Sequence, residues 1–251
     1  MLLTLLGTGC PVAHPSRAGA ATLVETEGAR VLIDCGSMVT QRLVAAGCAG
    51  AKLDALLVTH LHTDHLVDFY QLVTSSWHQG RAEPWVVHCP ETVTPVIKAT
   101  MAAWADERAL RIAYEKRPSA TGLEVNCEHL ALGRRITIGD LEIEIFHQDH
   151  GNTVSLGFLF NGRFAYSTDV VGLAEEVLDA LHGVPLWIVE ALRDTPHQSH
   201  SHYDQTFAWI DRVKPARAVL THLGLEADYV ELSAICPENT EPGVDGMVFS
   251  L

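Results

Sequence analysis

Basic residues are scarce in this chain: 17 Lys and Arg stand against 31 Asp and Glu among 251 residues, a formal net charge of −14 at pH 7. Nucleic-acid affinity rests largely on neutralising phosphates with Lys and Arg. The balance therefore argues against a surface built to hold a long nucleic acid, while a small anionic substrate is less affected. Cysteines are few and scattered, and Cys10, Cys35, Cys48, Cys89, Cys127 and Cys236 contain no C-x-x-C pair. A chain of this length forms a sizeable core without staples, so reduced and mostly buried thiols are expected. No apolar run approaches membrane-spanning length. The apolar start at 1–6 lacks a basic leader and runs into Gly7-Thr8-Gly9, which reads as a first strand rather than a signal peptide. A cytoplasmic protein with no membrane partner is expected. No Pro/Gly/Ser-rich linker, charge block, low-complexity stretch or solenoid-period repeat divides the sequence, so residues 1–251 are expected to form one α/β domain.

Hydrophobic periodicity predicts strands at 2–6, 21–25, 30–34, 55–59, 85–88, 111–114, 141–146, 154–160, 163–167, 186–189, 216–220 and 247–251. Helical spacing is read at 38–46, 66–77, 92–104, 173–181 and 204–213. Clustered strands with interspersed helices fit two mixed β-sheets packed face to face with helices outside, an αββα sandwich.

The most informative segment is His60-Leu61-His62-Thr63-Asp64-His65, an H-x-H-x-D-H cluster between the apolar run 55–59 and the helical pattern 66–77. In a strand-to-helix turn, His60 and His62 can point to one side and Asp64 and His65 to another, so one short segment can serve two neighbouring metal ions. Imidazole and carboxylate donors suit zinc first, with manganese or iron as alternatives, because such ligands discriminate weakly among these ions.

This cluster resembles the opening motif of the metallo-β-lactamase superfamily. Further matches follow in order: Leu6-Gly7-Thr8-Gly9, Leu32-Ile33-Asp34-Cys35-Gly36, His150 before Gly157-Phe158, Asp169 in Tyr166-Ser167-Thr168-Asp169, His222 in Leu220-Thr221-His222, and Asp245-Gly246-Met247-Val248. The resemblance implies that His60, His62 and His150 hold one divalent ion, that Asp64, His65 and His222 hold a second, and that Asp169 bridges them. Asp64 is counted as a catalytic group as well as a ligand. Two such ions sharing a hydroxide suit hydrolysis of an ester. His147 is an alternative to His150, but the alternation of Leu141, Ile143 and Ile145 places it at a strand end, and the spacing to Gly157-Phe158 favours His150. Asp34 is expected to orient the metal loop. Glu190 and Asp194, flanking the strand 186–189, are candidates for the same supporting layer. Cys10 and His14 fall where some phosphodiesterase relatives carry a structural zinc, but the other cysteines of that pattern are missing and no third zinc is expected.

A second resemblance concerns Pro196-His197-Gln198-Ser199-His200-Ser201-His202-Tyr203-Asp204-Gln205, which is similar to the H-S/T-x-x-x-Q stretch of the ribonuclease Z branch and the H-x-x-H stretch of its small cyclic-phosphodiesterase relatives. Both alignments place the non-ligand histidine on His200. An imidazole there can protonate a departing alkoxide or stabilise a phosphoryl oxygen, with His197 and His202 as substitutes. His78, His88, His129 and His182 lack matched partners and read as surface or hydrogen-bonded core residues. The branch implies phosphodiester hydrolysis, and a homodimer is possible in that family. Only 19 positions separate His150 from Asp169, which leaves no room for the tRNA-gripping arm that bacterial ribonuclease Z inserts in this region. A small or cyclic phosphodiester is the leading expectation. Sulfate-ester hydrolysis, lactone hydrolysis and tRNA 3′-end processing are the alternatives.

Overall fold

The computed structural model describes residues 1–115, 119–131 and 133–251. The first half of the chain contributes β1 (Leu2–Gly7), β2 (Ala21–Glu25), β3 (Arg30–Ile33), α1 (Val39–Ala45), β4 (Ala55–Leu57), α2 (Phe69–His78), β5 (Trp85–Cys89), α3 (Thr94–Ala103), α4 (Ala105–Tyr114) and β6 (Val125–His129). The second half contributes β7 (Arg135–Ile138), β8 (Leu141–His150), β9 (Thr153–Phe160), β10 (Phe164–Ser167), α5 (Glu175–Ala180), β11 (Leu186–Glu190), α6 (Tyr203–Val213), β12 (Ala218–Thr221), α7 (Tyr229–Ile235), β13 (Thr240–Pro242) and β14 (Val248–Ser250).

Two seven-stranded sheets result, ordered β14-β1-β2-β3-β4-β5-β6 and β13-β12-β11-β10-β9-β8-β7. Each half repeats one plan. Antiparallel strands come first, β1 to β3 and β7 to β10, followed by parallel pairings, β3 to β6 and β10 to β13. The last strand, β14, returns to pair with β1. Between the sheets, Leu3, Leu5, Val31, Ile33 and Leu57 pack against Ile143, Ile145, Phe158, Phe160, Phe164 and Ile188. The outer face of the first sheet is closed by α1 and α2 through Val39, Leu43, Phe69, Leu72 and Trp77. The outer face of the second is closed by Leu178, Ile210, Val213 and Leu232 of α5, α6 and α7. This is the expected αββα sandwich, with apolar faces buried on both sides of each sheet.

The structure corrects some local expectations. Residues 111–114 form the end of α4 rather than a strand. Ala105–Tyr114 is rich in helix formers and carries a Glu107–Arg111 pair one turn apart, which decides the local conformation. Three short strands, β6, β7 and β13, and helix α7 were not expected. All three strands lie at sheet edges, and β6 and β7 have mostly exposed or half-buried side chains. Val125 and Cys127 in β6 and Ile136 and Ile138 in β7 alternate with polar neighbours, but over runs of only five and four residues, and β13 has three, too short for the pattern to stand out. Strand β8 extends to His150, so His147 lies within it and not at its end. The six cysteines are unpaired, four of them buried and Cys127 and Cys236 half-buried. Among the described residues, no helix is long and apolar enough to cross a membrane.

Candidate metal centre

The parallel strands aim their carboxyl ends at one edge of the sandwich, the place where open α/β sheets gather ligand-binding groups. Asp34 follows β3, the segment 60–65 follows β4, Asp169 follows β10, Glu190 ends β11 and His222 follows β12. Asp34, Asp169 and His222 adopt left-handed backbone angles, with φ of 59°, 53° and 54°. Such angles are uncommon for residues with side chains and concentrate where geometry is over-determined by function.

His60, His62, His150 and Asp169 form one group of potential ligands, and Asp64, His65 and His222 another. The short motif therefore divides as its spacing suggests, two residues to each side. Asp169 stands between the groups. Its Oδ2 lies 3.5 Å from His60 Nε2 and 3.5 Å from His150 Nε2, while its Oδ1 lies 3.0 Å from His65 Nε2 and 3.3 Å from His222 Nε2. His150 Nε2 is 3.2 Å from His62 Nδ1, and Asp64 Oδ2 is 3.1 Å from His222 Nε2 and 3.4 Å from His65 Nε2. His147 points to solvent and does not join either group.

These separations can be tested against a metal ion. Zinc–nitrogen bonds of 2.0–2.1 Å in tetrahedral geometry place ligand atoms about 3.3–3.4 Å apart, in the middle of the observed spread. His60 Nε2 and His65 Nε2 are also buried without a hydrogen-bond partner. Orphaned buried imidazole nitrogens are costly unless something else uses their lone pairs. Both observations fit cations held within the cluster.

A supporting layer fixes the rings. Asp34 is fully buried; its Oδ1 accepts from the Thr59 amide at 2.8 Å and its Oδ2 pairs with His65 Nδ1 at 2.8 Å. Thr59 Oγ1 is 3.0 Å from His60 Nδ1. His150 Nδ1 donates to the Ser199 carbonyl at 2.6 Å. Each contact occupies the inner ring nitrogen and directs the other nitrogen toward the cluster, which sets the tautomer. Asp34 thus sits where the sequence placed it. Thr59 was not foreseen, since a threonine beside a buried run gives no distinctive signal.

Glu190 is more central than its sequence position suggests. Fully buried, its Oε1 lies 2.5 Å from His200 Nδ1 and 3.0 Å from His222 Nδ1, the second contact being too oblique for a hydrogen bond, and its Oε2 accepts from the Val170 amide at 2.6 Å. The one available signal was a carboxylate ending the otherwise apolar run Leu186-Trp187-Ile188-Val189. Asp194, the other candidate, is exposed. His200 packs beside the cluster, its ring 4.8 Å from His150 and stacked 5.2 Å from His222. Its Nδ1 is turned to Glu190. His197 lies against the outer side of His200 at 4.9 Å. Away from the site, His88 pairs with Glu128, His129 with Thr94 and His182 with the Arg212 carbonyl.

Without a cation, protons balance the buried carboxylates. Burial alone would push Asp169 upward, but His222, His65 and His60 hold its carboxyl well below the usual range. Asp64 is likewise driven up by burial and brought far down by hydrogen bonds from His222 and His65. Burial disfavours the charged forms of His65 and His222, yet Asp169 and Asp34 around the first, and Asp169, Asp64 and Glu190 around the second, raise both well above the ordinary imidazole value. His60, dominated by burial and then by repulsion from His65, is held well below it.

The model of the beta-lactamase superfamily domain matches residues 29–223. The chain belongs to this superfamily. Ribonuclease Z of Mycobacterium bovis (strain BCG / Pasteur 1173P2) is 39% identical over 115 residues, 45% of this chain and 41% of that enzyme. Ribonuclease Z of Mycobacterium marinum (strain ATCC BAA-535 / M) is 39% identical over a match of the same extent. The similarity spans about two fifths of the length of these relatives. Among solved structures, a diphosphatase of the PhnP family superposes with a TM-score of 0.86 at 21% identity, covering 100% of this chain and 97% of that one. The short form of human tRNase Z superposes with a TM-score of 0.76 at 20% identity, covering 100% and 99%. At these identities the likeness is one of fold, and the fold is that of the metallo-β-lactamases.

Proposed function

We propose that this chain is a metal-dependent hydrolase that cleaves a small or cyclic phosphodiester at a dinuclear centre. The split of the Asp169 carboxylate carries this reading, because one oxygen faces His60 and His150 while the other faces His65 and His222. His60, His62 and His150 would hold one ion, Asp64, His65 and His222 the other, and Asp169 would bridge them, with zinc first and manganese or iron as alternatives. Ions bound there supply Lewis acidity at the ester oxygens and ease the deprotonation of water.

The chain's own residues do the rest. Asp34 and Thr59 fix the His65 and His60 rings, and the Ser199 carbonyl fixes His150. His200 donates its Nδ1 hydrogen to Glu190, which leaves Nε2 as the nitrogen that delivers a proton to the departing alkoxide. Glu190 then balances the charge that the ring carries before donation. An imidazole with a fixed carboxylate behind it is the usual build of a general acid.

The matches to ribonuclease Z favour tRNA 3′-end processing as a second reading. Against it stand the net charge of −14 and the hairpins that join β8 to β9 through 151–152 and β9 to β10 through 161–163. No arm projects from this segment. Activity of the metal-loaded protein on bis-p-nitrophenyl phosphate, an aryl sulfate, a homoserine lactone and a tRNA precursor, side by side, tests the choice. Preferred turnover of the phosphodiester is expected. A preference for sulfate or lactone overturns the assignment, and efficient precursor cleavage selects the second reading.

A further inference from the structure

The position of Asp169 between the ligand groups depends on a left-handed backbone conformation uncommon for residues with side chains, φ 53°, just beyond the end of β10. Something must hold the turn at 168–169. Gln148 and Ser155 face each other across β8 and β9, both fully buried. Gln148 Nε2 donates to the Thr168 carbonyl at 2.8 Å and to Ser155 Oγ at 2.9 Å, and Ser155 Oγ donates to the Asp169 carbonyl at 2.7 Å. One amide hydrogen thus goes to the Thr168 carbonyl, the other to Ser155 Oγ, and the hydroxyl hydrogen to the Asp169 carbonyl, so the pair grips two consecutive carbonyls. Beyond the turn, the Val170 amide is held by Glu190 Oε2 at 2.6 Å, and Thr168 Oγ1 donates to Asp169 Oδ1 at 2.9 Å.

The amide also carries a penalty. Gln148 Oε1 is buried with no hydrogen-bond partner, and it cannot exchange places with Nε2, because the Thr168 carbonyl needs a donor. Ile143 and Ile145, earlier on the same strand, are apolar and well packed. A glutamine with an orphan acceptor in such a strand is poorly explained by folding alone, since an unsatisfied buried carbonyl opposes stability. One of its donated hydrogen bonds reaches the Thr168 carbonyl and the other reaches Ser155 Oγ, which in turn holds the carbonyl of Asp169, the residue that faces both ligand groups.

We propose that Gln148 and Ser155 form a clamp that aims the Asp169 carboxylate, one oxygen to each ion. The clamp is a positioning device, and it rests on the dinuclear reading above. Gln148 also stands two residues before His150 on the same face of β8, so one strand pair places a ligand and steers the bridge.

The test uses the full chain, freed of metal and titrated with Mn²⁺, as wild type, Gln148→Met and Ser155→Ala. Electron paramagnetic resonance distinguishes an exchange-coupled Mn²⁺ pair from isolated ions, and equilibrium titration gives the affinity of the second ion. Wild type should show the coupled pair. Both variants should lose the coupling and bind the second ion about 10- to 100-fold more weakly, the usual consequence of removing a group that orients a ligand. Ser155→Ala deletes only one hydroxyl and keeps the question answerable if Gln148→Met folds poorly. Coupled pairs with unchanged second-ion affinity in the variants overturn the clamp alone, even if thermal stability falls, since that outcome assigns the pair to the fold. A wild type that never takes up a second ion overturns the dinuclear reading and the clamp with it.

Discussion

Replacing His200 by alanine separates proton delivery from metal binding. Its Nδ1 is 2.5 Å from Glu190 Oε1 and 3.8 Å from the nearer Asp169 oxygen, so the ring serves the carboxylate behind it and is dispensable to the ligand groups. Removing it leaves Glu190 with the Val170 amide at 2.6 Å and His222 Nδ1 at 3.0 Å, enough to keep that carboxylate in place. His200→Ala should therefore retain both ions by elemental analysis. A positioned general acid contributes about 10²- to 10⁴-fold, and at about 1.36 kcal/mol per decade the transition state loses roughly 2.7–5.4 kcal/mol. The assay compares kcat/KM on phosphodiesters whose leaving groups run from p-nitrophenol to a simple alcohol. The full loss should appear with the alcohol and shrink with the phenol, which leaves readily without a proton. Equal losses across the series would refute proton delivery and assign His200 to the phosphoryl oxygens. An unchanged rate would remove it from the mechanism and move attention to His197, whose ring lies 4.9 Å away, or to His202.

Other outcomes follow from the same geometry. Metal-replete protein should contain close to two equivalents of divalent ion per chain, and a reproducible value of one after supplementation would contradict the bridging role of Asp169. Asp169→Ala should abolish hydrolysis and lower metal content, whereas exposed His147→Ala should leave both intact; the reverse pattern for His147 and His150 would mean that the third histidine is misassigned. Metal uptake should release protons at neutral pH, because His65 and His222 are held well above the ordinary imidazole value before binding. Protons and metal compete for these rings, so affinity should rise with pH until both rings are neutral. Calorimetry in buffers of different ionisation enthalpy reads the proton count, and a pH-independent affinity would contradict the sign.

Much of the site was legible because metal chemistry restricts side-chain types more tightly than folding does. His60, His62, Asp64 and His65 announce themselves by density and spacing, and the turn between β4 and α2 separates them as strand-to-helix geometry requires. The core strands were legible for a related reason. Runs such as 186–189 and 141–146 carry the pattern that burial on one or both faces imposes. What stayed hidden carried such a pattern over too few residues to stand out. The edge strands β6 and β7 bury little, and their pairing is decided by neighbours far along the chain.

The supporting residues were hidden for a different reason: their role is defined by partners that periodicity does not reveal. Gln148, Ser155 and Thr59 are ordinary residues in strand-like sequence, and Glu190 stood out only as the end of an apolar run. The left-handed turns at Asp34, Asp169 and His222 carry no glycine to mark them. Each places a candidate-site side chain in a backbone conformation uncommon for residues other than glycine, and the cost is offset by contacts made after the sheets assemble. Local sequence rules fail there because tertiary contacts, and not local preference, fix the backbone. The same three positions lie at the carboxyl ends of β3, β10 and β12, so a left-handed aspartate or histidine just past a parallel strand is itself a structural mark of this centre.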